Sequence, residues 1–148
     1  MTSMNVLLSI KPEFAEKILT SQKKYEFRKT PISKADSVEN VILYASSPAQ
    51  RIVGSFEINQ ITSGSPTELW EQYGDASGIE ERKRFMEYYS GKQEGYAIEI
   101  GNPRRLLTAI DPTEHIDDFT PPVSFQYVNG EFDSVLEQGT VEPSVASD

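Results

Sequence analysis

Between Pro12 and Arg28 the chain changes its hydrophobic period, and few arrangements satisfy both halves of that change. Proline suits a first helical position, and Phe14, Ile18 and Leu19 fall on one helical face, so a short helix is expected from Pro12. After Ser21-Gln22-Lys23-Lys24 the period becomes two: Tyr25 and Phe27 alternate with Glu26 and Arg28. A strand with this pattern puts the aromatics on one side and the charges on the other. Lys23 is close enough to share the charged side. An ammonium, a carboxylate and a guanidinium within six residues suit anion binding, orientation of a polar ligand or proton transfer. The competing reading is a solvated face with a weak ion pair.

The order Ser9-Ile10-Lys11-Pro12, then Phe14-Ala15 with Ile18-Leu19, then Ser21-x-Lys23-x-x-Glu26-x-Arg28 resembles the opening of the ASCH family. The hallmark of that family is G-x-K-x-x-E-x-R, and Ser21 stands where it has glycine. The segments Val41–Pro48, Ile52–Ile58 and Gly95–Ile100 resemble later family elements, so the likeness covers about residues 4 to 128. It implies an α+β, PUA-like β-barrel of about 6–7 strands with flanking short helices, and a ligand cleft lined by the charged motif. On that basis Ser9, Lys11, Lys23, Glu26, Arg28, Tyr44, Ser46, Ser47 and Tyr96 are the candidate ligand-binding residues.

The function implied is recognition of RNA or a modified nucleoside, with a single strand or single nucleoside as partner. The alternative is a small nucleoside amidohydrolase or ribonuclease using the same cleft, with Lys23 and Glu26 catalytic. Some small relatives are amidohydrolases of acetylcytidine with a lysine and a threonine in the motif; here Glu26 holds the threonine position, so that mechanism does not carry over intact. An ion pair with Glu26 is expected to raise the Lys23 pKa and keep the amine protonated, which favours binding over nucleophilic attack.

Charge constrains the ligand further. The net charge is −9, which opposes a long polyphosphate. Residues 1–34 nevertheless carry seven Lys/Arg against three Glu, whereas residues 35–128 carry seven basic and fifteen acidic groups. A local anionic ligand fits this distribution better than a duplex does. A second alternative is an acidic protein that binds a basic protein partner. No cofactor or metal is implied: the chain has no cysteine, and His115 among Glu114, Asp117 and Asp118 reads as a solvated turn.

One domain over 1–128, followed by an acidic and flexible tail over 129–148, is the expected organisation. No apolar run has the ~20 residues a membrane span needs, and no signal segment is evident, so a cytoplasmic location is expected. Strands are expected near 5–10, 25–29, 40–46, 51–62, 95–100, 104–110 and 123–128. Ser65-Pro66-Thr67-Glu68 reads as a capping box opening a helix, and Glu80 to Tyr89 as another helix ended by Gly91. Its Arg82-Lys83-Arg84 triplet reads as surface charge compensated by Glu80, Glu81 and Glu87. Trp70, Phe125 and Tyr127 read as core or barrel surface first and as stacking platforms second.

Overall fold

The computed structural model describes residues 4–128, so the expected tail lies outside the described residues. Its elements are β1 (Met4–Ile10), α1 (Pro12–Leu19), β2 (Tyr25–Arg28), β3 (Val38–Ala45), β4 (Arg51–Gly64), α2 (Pro66–Tyr73), α3 (Arg82–Tyr88), β5 (Gly95–Ile110) and β6 (Phe125–Val128). The strands form one six-stranded sheet in the order β2-β5-β4-β3-β1-β6. Only β1 and β3 run parallel; the other neighbours are antiparallel. The sheet curls into a half-barrel flanked by short helices.

Among the described residues six strands are found where seven segments were expected, because 95–100 and 104–110 are one strand of 16 residues. Asn102, which would have been the turn, takes a left-handed φ of 48°, and β5 continues beside β4. Three register shifts interrupt the β4–β5 ladder. Bulges of this kind increase local twist and let a long strand bend. The two longest strands therefore curve far enough to present β2 at one end and β3 at the other.

Both faces of the central strands are covered, which explains the near-continuous apolar runs in β1 and β3. Val6, Leu8, Val41, Leu43, Phe56 and Ile98 form the inner core with Ile18 of α1. Leu7, Ile42, Ile52 and Leu106 pack on the opposite face with Phe119 and Ile116. A third cluster joins Phe27 of β2 to Leu69, Phe85 and Tyr89. This last cluster fixes α2 and α3 beside the end of β2, where the charged motif lies.

The helix starts differ in how they are capped. Ser65 Oγ accepts the Glu68 N–H at 3.1 Å and Glu68 Oε1 accepts the Ser65 N–H at 2.9 Å, the reciprocal box expected for α2. α3 is shorter than the expected 80–89: Glu81 is extended at its start and gives no side-chain cap. Gly91 takes φ 83° just beyond its end. No helix among the described residues is long and apolar enough to cross a membrane.

Candidate functional site

α1 ends in a reversal that carries Lys23 inward. Thr20 closes the helix, Ser21 takes φ 64°, and the Gln22 and Lys23 N–H groups both return to the Lys17 carbonyl at 2.8 and 3.0 Å. Left-handed backbone is the geometry that glycine adopts freely, so the glycine of the motif and the serine found here occupy a position defined by backbone shape. Ser21 is accommodated without losing the turn.

The charged side of β2 is not a solvated face. The Lys23 side chain is 2% exposed, Glu26 7% and Arg28 11%. Glu26 joins the two cations: its Oε1 lies 3.3 Å from Lys23 Nζ and its Oε2 accepts from Arg28 Nη1 at 2.8 Å. Lys23 Nζ also donates to the Ser77 carbonyl, and Arg28 Nη2 donates to Ser124 Oγ at 2.7 Å. Among the described residues, the buried Arg28 Nε has no hydrogen-bond partner.

Burial lowers the Lys23 pKa, against the opposing pull of the Glu26 carboxylate. The expectation of a raised lysine pKa is thus overturned. It counted the ion pair and omitted the desolvation that only tertiary packing imposes. The Arg28 pKa is raised although burial opposes it, because Glu26 is so close.

These groups lie at one wall of a cleft of about 730 Å³. Ser9, Lys11, Tyr44, Ser46 and Ser47 line it together with Lys23, Glu26 and Arg28, although they come from three separate segments, 9–11, 23–28 and 44–47. The β1–β3 pairing makes this possible, since it brings Ser9 beside Tyr44 and Ile10 beside Ala45 at the same end of the sheet. Tyr44 is only 4% exposed and its ring packs against Phe119, so most of that ring belongs to the core. Ser9 Oγ donates to the Pro122 carbonyl at 2.7 Å and holds the 121–124 segment over the cleft. Tyr96 lies outside the lining, with its hydroxyl 3.4 Å from Glu94.

Several cleft residues were not anticipated. Phe14 lines the wall, with Lys23 Nζ 5.1 Å and the Arg84 guanidinium 4.9 Å from its ring centre. Arg84 pairs with Glu13 of α1 at 3.1 Å, not with the acids of its own helix. Ile79, Tyr88 and Val123 complete the apolar part of the lining. Nothing in local periodicity marks Ser124 or Val123, whereas the Arg84 partner was hidden because its acid is 71 residues away.

The remaining aromatic candidates each have a ring partner within the fold. Trp70 stacks near Phe85 with ring centres 5.1 Å apart. Phe125 and Tyr127 meet edge to face at 5.7 Å. His115 ends a short 3-10 turn. Among the described residues no three His, Cys, Asp or Glu side chains converge as metal ligands would.

Residues 3–130 match the model of a family described as a domain of unknown function, DUF365. The chain belongs to the DUF365 family. It is 27% identical over 127 residues to an ASCH domain-containing ribonuclease of Zymomonas mobilis, covering 84% of each chain. It is also 31% identical over 93 residues to an ATP synthase subunit alpha of Ureaplasma parvum, and 26% identical over 129 residues to large ribosomal subunit protein uL22 of the same species. The chain spans only 11% and 40% of the lengths of those two proteins. The crystal structure of ASCH from Zymomonas mobilis superposes with a TM-score of 0.80 at 24% identity, over 93% of this chain and 96% of that one. This DUF365 protein therefore has the ASCH, PUA-like fold.

Proposed function

We propose that the DUF365 cleft captures RNA, or a single modified nucleoside within it, with Lys23 and Arg28 facing the polar part of the ligand. The observation that carries this reading is the burial of a linked Lys23–Glu26–Arg28 set in the wall of an open cleft. Buried charge is costly, and Glu26 compensates only one of the two cations. The wall therefore retains an excess positive charge suited to an anionic or strongly dipolar ligand. A volume of about 730 Å³ lies in the ordinary range for small-ligand sites. Phe14, Ile79 and Tyr88 supply apolar surface for a base, and the ASCH fold supports the same reading.

Hydrolysis in the same cleft is the second reading, and two observations favour it. The lowered Lys23 pKa makes the neutral, proton-accepting amine more accessible, and the Zymomonas relative is named a ribonuclease. Glu26 is committed to both cations and is the weaker candidate for a proton acceptor.

Calorimetric titration with modified nucleosides and short single-stranded RNAs, followed by mass analysis of the mixtures, tests both readings. Lys23→Ala is expected to weaken binding at least tenfold, as loss of a charge-assisted contact of about 1.5–3 kcal/mol requires. Product formed by the unmodified protein and absent with Lys23→Ala selects the hydrolase. Binding that is indifferent to both Lys23→Ala and Arg28→Ala overturns the cleft assignment.

A further inference from the structure

The loop that follows β2 joins the cleft to the edge strand β6, where Tyr127 lies beside Val6 and packs against the inner core. Its first residue, Lys29, is exposed and places its ammonium 4.6 Å from the ring centre of Tyr88, which lines the cleft. At its far end Lys34, also exposed, places its ammonium 5.5 Å from the ring centre of Tyr127. The loop between them is anchored. Ile32 is 4% exposed and belongs to the inner core. The Tyr127 hydroxyl accepts the Lys34 backbone N–H at 3.2 Å and lies 3.3 Å from Ser33 Oγ. The ring of Tyr127 thus has a fixed orientation, while the ammonium above it is on a flexible exposed stem.

We propose that this loop and its two lysine-capped tyrosines form a track for the single-stranded RNA that continues out of the cleft, so that the ligand is a polymer and not a free nucleoside. The inference rests on the reading of the cleft given above. Cations alternating with aromatic rings are what a single strand requires, because phosphates take the charges and unstacked bases take the rings. Each ammonium exchanges its ring for a phosphate, and the Tyr127 face that the Lys34 ammonium leaves accepts a base. From Lys29 to Lys34 the backbone reaches at most about 17 Å, at about 3.4 Å per extended residue, which is longer than one nucleotide and far shorter than a duplex footprint. The location agrees with the charge distribution: residues 1–34 hold seven basic and three acidic groups, on a chain whose net charge is −9. A rigid duplex laid across the acidic remainder would be repelled; a single strand can follow the basic segment alone.

The test compares a fluorescein-labelled, mixed-sequence 12-nucleotide single-stranded RNA with a mixture of the four nucleoside 5′-monophosphates, across a salt series. The 12-mer is expected to bind at least tenfold more tightly than the monophosphates. Lys29→Gln with Lys34→Gln should remove that advantage and flatten the log–log salt dependence by about 1.4, at about 0.7 per lost phosphate contact. It should leave monophosphate binding unchanged, which also certifies the fold of the variant. Tyr127→Leu should weaken the 12-mer with the salt dependence retained. Equal affinity for 12-mer and monophosphates, an unaltered 12-mer affinity in the double variant, or loss of monophosphate binding in it would each overturn the track. Lys23→Ala separates this from failure of the cleft: if it weakens both ligands while the double variant weakens neither, the cleft stands and the track does not. If Lys23→Ala weakens neither ligand, the cleft reading fails and the track falls with it.

Discussion

Replacing Glu26 by Gln tests the idea that two buried cations share one carboxylate. The substitution keeps the size of the side chain and removes its charge, leaving Lys23 at 2% exposure and Arg28 at 11% without an anionic partner. Breaking a buried pair by removing one member costs about 3–5 kcal/mol. Part of that is relieved because Lys23 can release its proton, at about 1.4 kcal/mol per unit by which its pKa falls. Arg28 has no such escape, since a guanidinium stays charged. A net loss near the lower end, about 3 kcal/mol, is therefore expected at pH 7. For a chain of 148 residues this corresponds to roughly 6–12 °C in melting temperature.

The pH dependence of the same variant carries the sign. The folded-state pKa of Lys23 is below its unfolded value of 10.5, so between the two the unfolded chain binds more protons and stability rises with pH. Removing the carboxylate, which opposes the effect of burial, lowers the folded-state pKa further and extends that window downward. Urea unfolding at pH 7 and pH 9.5 should show Glu26→Gln recovering more stability on alkalinisation than the unmodified protein does. Lys23→Met combined with Glu26→Gln should recover part of the loss at pH 7. A Glu26→Gln variant within about 0.5 kcal/mol of the unmodified protein, or one with the same pH slope, would refute the linked-triad argument.

Two further outcomes follow from backbone geometry. Ser21→Gly should raise stability by up to about 1 kcal/mol, because Ser21 takes φ 64° and L side chains are disfavoured there; a lower urea midpoint would show that Ser21 contributes something the turn geometry does not reveal. Gly54→Ala should cost about 1–3 kcal/mol or more, since its Cβ would stand 2.3 Å from the Arg104 carbonyl oxygen and 2.7 Å from Leu19 Cδ2; an unchanged thermal midpoint would mean that β4, β5 and α1 can separate without penalty.

The candidate site was legible where chemistry is local in sequence and illegible where it is assembled. Lys23, Glu26 and Arg28 fall within one turn-and-strand unit, so the period-two alternation put them on a common side before any contact was known. Arg84 looked like a solvated helix charge because its neighbours in sequence are Glu81 and Glu87; its partner Glu13 is on a different helix. Ser124 gave no signal, yet it holds Arg28 at 2.7 Å. Strand reading failed once, at Asn102, where a left-handed residue allowed β5 to continue when a turn was expected.

The sequence by itself determined the elements whose cause is short-range: the proline-led helices, the reciprocal cap at Ser65 and Glu68, the apolar runs of β1 and β3, and the charged alternation of β2. Only the tertiary structure decided the protonation balance of Lys23 and the walls of the cleft. Both depend on what is packed nearby. Desolvation of an ammonium is set by everything packed around it, and no spacing along the chain encodes that surrounding.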